Sequence, residues 1–179
     1  MTGVQTCALP ISNDILGDMF IAKIDPSGAN LIYSVLLGPG KPSAIIVDLN
    51  GAVYVAGSDS GRGFPTTQGA ALTDGRLFLL KLDNSGSRLI YSTKLGGTFG
   101  ELSSSSLTVD ASGNAFVAGY SQNVLTTQRA YKPTGFGPFA LKMNSQGTAL
   151  IYSTYLPSAP AHASARRGQT QLVYRPFAL

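Results

Sequence analysis

The stretch FLLKLDNSGSRLIYSTKLGG, residues 78–97, decides the fold, because close copies of it occur on both sides. The earlier copy is FIAKIDPSGANLIYSVLLG at residues 20–38, and the later copy is FALKMNSQGTALIYSTYL at residues 139–156. The copies follow one another at intervals of 58 and 61 residues. A regular internal period indicates a repeat architecture, in which each copy is one supersecondary unit.

A second unit alternates with the first, as AIIVDLNGAVYVAGS at residues 44–58 and SLTVDASGNAFVAGYS at residues 106–121. Each unit contains two apolar runs joined by a turn sequence such as Asp25-Pro26-Ser27-Gly28. In such a turn the aspartate accepts hydrogen bonds from turn amides, the proline presets φ, and the glycine takes the positive φ that closes the hairpin. The sequence therefore predicts two hairpins, or four antiparallel strands, in each repeat of about 60 residues.

The composition also favours strands over helices. The chain has 179 residues, of which 44% are hydrophobic and 12% are charged, and this is typical of a globular protein. Its 21 glycines and 10 prolines are spread along the chain, and no window of a dozen residues has apolar side chains at helical spacing. The longest apolar runs are far shorter than the ~20 residues of a spanning helix. We therefore expect no helix and no membrane span.

Both faces of the predicted strands are apolar, as Phe78-Leu79-Leu80 and Ala44-Ile45-Ile46-Val47 show. A lone four-stranded sheet would leave one such face in water, whereas blades stacked around an axis cover both faces. A two-sheet sandwich does not require so regular a recurrence of hairpins and turns. The predicted fold class is therefore all-β, with β-propeller repeats made of four-stranded antiparallel blades.

These residues also carry a family resemblance. The pattern D-x-F-x-x-K-x-D-x-x-G-x-x-L-x-Y-S-T-x-L-G-G, followed by V-D-x-x-G-x-x-x-V-x-G and F-P-T-T, resembles the bacterial SBBP repeat, which is named for a seven-bladed β-propeller. The resemblance covers residues 18–156 and implies a half-blade at 18–40, a blade at 43–97 and a second blade at 104–156. About two and a half blades leave the ring incomplete. The resemblance also implies a larger parent protein that is extracellular or on the bacterial cell surface.

Both ends depart from the repeat region, which we place at residues 13–156. Residues 1–12, MTGVQTCALPIS, resemble a translated sequencing adapter and lack the basic start of a secretion signal, so we interpret them as a non-native artefact. Residues 157–179 do not continue the pattern and form an off-pattern tail that carries three arginines. Without those arginines, ten Lys and Arg stand against nine Asp and Glu and are scattered along the chain, so we expect no nucleic-acid binding.

The sequence predicts no catalytic, metal-binding or cofactor-binding residues. The single histidine, His162, lies in the tail with no acid nearby, so a triad and a histidine-ligated metal both lack their central part. Asp110-Ala111-Ser112-Gly113-Asn114 is faintly similar to a calcium loop but lacks the distal glutamate, and a plain turn is the favoured interpretation. The same turn position recurs at Asp25, Asp48, Asp83 and Asp110.

Two other residue types recur in step with the repeat, namely Lys23, Lys81 and Lys142, and Tyr33, Tyr91 and Tyr152. The lysines form either a ring of cations for an acidic glycan or, as we favour, strand-end side chains whose stems pack while their ammonium groups lie in water. The tyrosines are interpreted as aromatic residues that pack between blades rather than as a stacking platform for a ligand.

Two long loops, Ser58–Arg76 and Gly119–Gly137, are the first places to expect a binding site, because long loops on rigid scaffolds often carry function. The leading hypothesis is a non-enzymatic structural or interaction scaffold whose partners are the neighbouring blades of the parent chain. One alternative is a propeller enzyme, such as a lactonase or lyase, whose catalytic residues lie in other blades. Another is a module that binds carbohydrate or protein ligands through these loops.

Overall fold

The computed structural model describes residues 18–59, 63–102, 106–157, 161–164 and 173–176. Within these residues every regular element is a β-strand and every strand pairing is antiparallel, which confirms the predicted all-β fold. The strands are β1 (Asp18–Ile24), β2 (Leu31–Pro39), β3 (Lys41–Val47), β4 (Val53–Ser58), β5 (Leu77–Leu82), β6 (Leu89–Gly96), β7 (Gly100–Glu101), β8 (Leu107–Val109), β9 (Ala115–Gln122), β10 (Phe136–Met143), β11 (Leu150–Tyr155), β12 (Ala161–Ser164) and β13 (Val173–Pro176).

Strands β1 to β11 form three sheets, which follow one another along the chain. The half-blade is the hairpin β1–β2, and the central blade is the four-stranded sheet β3-β4-β5-β6. The distal blade has the order β11-β10-β9, and the free edge of β9 pairs with both β7 and β8. In the half-blade and the central blade, strands that are consecutive in sequence are also neighbours in the sheet, because one turn or loop joins each pair.

The inner strand differs between the two blades. In the central blade β3 is continuous, with an irregular register between Pro42 and Ala44. In the distal blade the same position is divided, because Gly100 lies opposite Ser121 while Leu107 lies opposite Val117. The distal sheet thus includes residues before the predicted start of that blade at 104, and the predicted limits of the blades remain a prediction.

The two ends of the sequence are described only in part. The interpretation of residues 1–12 concerns residues outside those that the structure describes. In the tail, β12 and β13 pair as a two-stranded antiparallel sheet, and β12 contacts β9 of the distal blade. None of the described residues forms a helix long and apolar enough to cross a bilayer.

The sheets stack face to face, and the central blade is buried on both sides. Val53 and Val55 of β4 belong to a core shared with Met19, Ile21 and other residues of the half-blade. Their neighbours in β4, Tyr54 and Ala56, point the opposite way and join a core with the distal blade. Alternate residues of one strand therefore serve two different cores, which explains why the strands are apolar on both faces.

Candidate functional site

The two ends of the stacked sheets differ in character. One end carries the tight turns that contain Asp48, Asp83, Asp110 and Asn144, each closed by a hydrogen bond from the amide of the third following residue, a glycine. The other end carries the long connections, residues 59–76 and 123–135, together with the link from the central blade to the distal blade. We call these the turn end and the loop end.

The turn aspartates are held by their own turns, as the sequence predicts. The Oδ1 atom of Asp110 accepts hydrogen bonds from the backbone amides of Ser112 and Asn114, and its carboxylate also binds the Asn114 side-chain amide. Burial opposes ionisation of Asp110, but the bonds from Asn114 and Lys142 outweigh it, so the pKa of Asp110 lies below its ordinary value. These contacts are those of a turn.

Two of the three recurring lysines, Lys81 and Lys142, form braces within their blades, whereas Lys23 of the half-blade donates to the backbone carbonyl of Asn84 in the central blade. Lys142 lies 3.0 Å from the carboxylate of Asp110, with its ammonium group 4.6 Å from the centre of the Phe116 ring. Lys81 repeats the arrangement in the central blade, where it lies 3.8 Å from Asp48 and 4.7 Å from the centre of the Tyr54 ring. The stems pack as expected, but the ammonium groups of these two lysines contact carboxylates and rings rather than facing open water.

Two of the three recurring tyrosines, Tyr33 and Tyr91, lie between sheets, each against a turn glycine of the next sheet. A Cβ atom added at Gly86 of the central blade would lie 2.5 Å from the ring of Tyr33 in the half-blade. A Cβ atom at Gly147 of the distal blade would lie 2.4 Å from the ring of Tyr91 in the central blade. The same contact thus recurs at both junctions, in accord with packing between blades.

The loop end of the central blade contains a buried ion pair. Lys94 and Asp59 are 4% and 7% exposed, and the Lys94 ammonium contacts the Asp59 carboxylate. Lys94 also lies 5.2 Å from the centre of the Phe64 ring, which stacks on Phe78 at 4.2 Å. A buried ion pair of this kind adds little net stability, because desolvation offsets most of the attraction.

A cavity of about 520 Å³ opens beside this pair, between the central and distal blades. Its lining residues are Ser58, Asp59, Arg76, Thr98, Phe99, Gly100, Tyr120 and Phe136. Three of them are exposed aromatic residues, and the rings of Tyr120 and Phe136 meet edge to face with their centres 5.1 Å apart. The two loops singled out from the sequence, Ser58–Arg76 and Gly119–Gly137, both contribute to this cavity.

The structure also shows residues at the loop end that sequence reasoning missed. Phe99 lines the cavity from outside both loops, in the link between β6 and β7. Lys94, which contacts the lining residue Asp59, lies on β6 itself. Lys94 could have been singled out by comparing the copies, because its position in the repeat is occupied by Leu36 in the half-blade and by Tyr155 in the distal blade. This position is buried in both the central and the distal blade, but each copy fills it with a different side chain.

Metal ligands do not cluster in the part of the chain that the structure describes: no group of three or more His, Cys, Asp or Glu side chains could hold an ion there. The side chain of His162 lies outside the described residues. The absence of catalytic, metal-binding and cofactor-binding residues therefore stays a prediction.

One comparison with known proteins bears on the junction of the two blades. Residues 90–125 match the model of the SBBP family, which is described as a beta-propeller repeat. The matched segment starts in β6, the outer strand of the central blade, and passes through β7, β8 and β9 of the distal blade. No curated protein matches the chain.

Proposed function

Since this chain carries an SBBP β-propeller repeat, we propose that it acts as a non-enzymatic structural or interaction scaffold, in a larger exported bacterial protein. Its partners are then the neighbouring blades of that protein, and its place is outside the cell or on the cell surface. The export and the bacterial source rest on the family resemblance. The scaffold role rests on the packing of the sheets.

The proposal rests on the exposure of one repeated phenylalanine, which differs between the half-blade and the two blades. Phe78 and Phe139 are 0% exposed, because the preceding sheet covers the face on which each lies. The corresponding Phe20 in the half-blade is 58% exposed, and so is much of Leu36, which lies directly opposite it. The half-blade thus presents a face that the repeat elsewhere covers with another blade.

The state of the inner-hairpin acids also favours a scaffold over a propeller enzyme. A metal-dependent or acid-dependent enzyme needs carboxylates or histidines on the inner strands that are open towards the axis. The two inner hairpins present Asp48 and Asp110, and both already bind turn amides and a lysine of the same blade. The enzyme alternative therefore needs residues from other blades.

Light scattering after size-exclusion chromatography tests the proposal on the 179-residue chain. We expect self-association, because the face that contains Phe20 and Leu36 is apolar and uncovered. Replacement of both by serine should shift the chain towards the 18.6 kDa monomer. The control Leu49→Ser, at an exposed turn residue away from that face, should leave association unchanged. A wild-type chain that is a monodisperse, cooperatively melting monomer would contradict the proposal.

A further inference from the structure

The residues around the loop-end cavity are those that the repeat does not require. Arg76 occupies a position that is Asp18 in the half-blade and Gly137 in the distal blade, and Asp59 occupies the position of Ser121. Tyr120 of the distal blade likewise occupies the repeat position that Ser58 has in the central blade. The copies agree where they build the sheets and differ where they line this cavity, so stacking of blades does not account for the lining.

Backbone hydrogen bonds hold the wall of the cavity at several points. The backbone of Arg76 is fixed on both sides, because its amide donates to Gly97 and its carbonyl accepts from Asp59. Thr98 donates its amide to Gln122, and Gln122 donates its own to Phe99, so the link that carries Phe99 is bound to β9. Because the backbone is fixed at these points, a ligand would have to order only the side chains of the wall.

Among the described residues that line the cavity, Arg76 is the charged side chain that takes no part in the Lys94–Asp59 ion pair. The Asp59 carboxylate contacts the buried Lys94 ammonium, so these two charges compensate each other. Arg76 is exposed and lines the cavity beside them. A guanidinium group binds carboxylates through two parallel hydrogen bonds, so the polar part of the cavity favours an anionic group.

Three aromatic side chains form the apolar part of the wall. Phe99, Tyr120 and Phe136 expose rings into one concave surface, where they offer apolar faces together with the phenol hydroxyl of Tyr120. A pyranose ring has an apolar face of C–H groups that can lie on such rings, and its hydroxyls bind the polar rim. The volume of about 520 Å³ falls within the range of about 300–1,000 Å³ typical of small-molecule sites.

We propose that this cavity binds an anionic carbohydrate of the uronic-acid class, with a sugar ring on the aromatic wall and its carboxylate on Arg76. This gives the chain a ligand in addition to its scaffold role. The proposal does not depend on the number of blades in the parent protein.

Isothermal titration calorimetry with two matched probes tests the proposal. The probes are a tetramer of α-1,4-linked galacturonic acid and its methyl-esterified form, which keeps the rings and removes the charge. We expect the acidic tetramer to bind more tightly, and added salt to reduce the difference. Arg76→Gln should weaken binding of the acidic tetramer by roughly tenfold or more and leave the ester unaffected.

The aromatic wall is tested in the same titrations. Phe136→Ala should weaken binding of both tetramers by about two- to tenfold, and Phe136→Tyr, which retains a ring, should restore it. The controls Arg129→Gln and Tyr131→Ala change an exposed cation and an exposed ring that do not line the cavity, and neither should alter binding. All of these positions are exposed, so circular dichroism spectra should match those of the wild type.

Three outcomes would overturn the proposal. They are failure of both tetramers to bind at millimolar concentration, equal loss with Arg129→Gln and Arg76→Gln, and tighter binding of tetralysine than of the acidic tetramer. None of them bears on self-association through Phe20 and Leu36, so the ligand site and the scaffold role fail separately.

Discussion

Replacement of Gly86 by alanine measures the contact between the half-blade and the central blade. Gly86 has φ +71°, and the added Cβ atom would lie 2.5–2.8 Å from three atoms of the Tyr33 ring. Gly28 is the matched control, since it closes the equivalent turn with φ +76° and an added Cβ atom there meets nothing within 4 Å. The two substitutions share the backbone strain and differ in the clash with the neighbouring sheet.

The expected magnitudes follow from these two terms. A non-glycine residue in the left-handed region costs about 1–2 kcal/mol, which applies to both variants. Forcing a methyl group into a packed contact costs about 1–3 kcal/mol more, which applies only to Gly86→Ala. We therefore expect Gly28→Ala to lower the free energy of unfolding by about 1–2 kcal/mol, and Gly86→Ala to lower it by about 2–5 kcal/mol.

Urea unfolding followed by far-UV circular dichroism gives both values. The protein concentration must be held constant, because self-association raises the apparent stability. A double-mutant cycle with Tyr33→Ala then isolates the contact, since removal of the ring should abolish the extra cost of Gly86→Ala. Equal losses for Gly28→Ala and Gly86→Ala, or a coupling below ~0.5 kcal/mol, would refute this account of how the sheets stack.

Two further predictions concern charged groups. Lys94→Leu removes the ammonium that contacts the buried Asp59 carboxylate and should lower the free energy of unfolding by about 3–5 kcal/mol in urea titrations. The double variant with Asp59→Ser, which copies the residues of the other repeats, should recover that loss, and no recovery would contradict the compensation of these charges. Folding lowers the pKa values of Asp110 and Asp25, and hydrogen bonds from Asn30 and Ser27 bring that of Asp25 to about 2. The ionised carboxylates therefore stabilise the folded chain above the unfolded pKa of ~3.9. This stabilisation is lost as the pH falls through the folded pKa values. Asp110→Asn should therefore reduce the drop in urea midpoint between neutral pH and pH ~2.5, and an unchanged drop would count against this role.

The strands and turns were predictable from the sequence because their causes are local. The positive φ of Gly28, Gly51 and Gly113 and the capture of turn amides by Asp48 and Asp110 depend on four or five consecutive residues. Repetition then multiplies the signal, since an error in one copy is corrected by the others.

The brace and the cavity were not predictable, because their causes are distant in sequence. Lys81 is recognisable as a recurring residue, but its carboxylate partner, Asp48, belongs to a different hairpin, and only the pairing of β4 with β5 brings the two together. The cavity joins Arg76 at the end of one long connection, Phe99 in the link between β6 and β7, and Phe136 at the start of β10, and these three residues lie far apart in the sequence.

Residues that repeat in every copy and residues that line the cavity are also constrained differently by the fold. A repeated residue such as Phe78 is fixed by two sheets at once, because its own strand sets its direction and the preceding sheet fills the space around it. A residue such as Arg76 has only its backbone fixed, and its side chain is exposed. Substitution of Arg76 therefore carries little cost in folding, so the chemistry of the loop end can change without disturbing the stack. Comparison of the copies within one chain thus separates what the scaffold needs from what it presents.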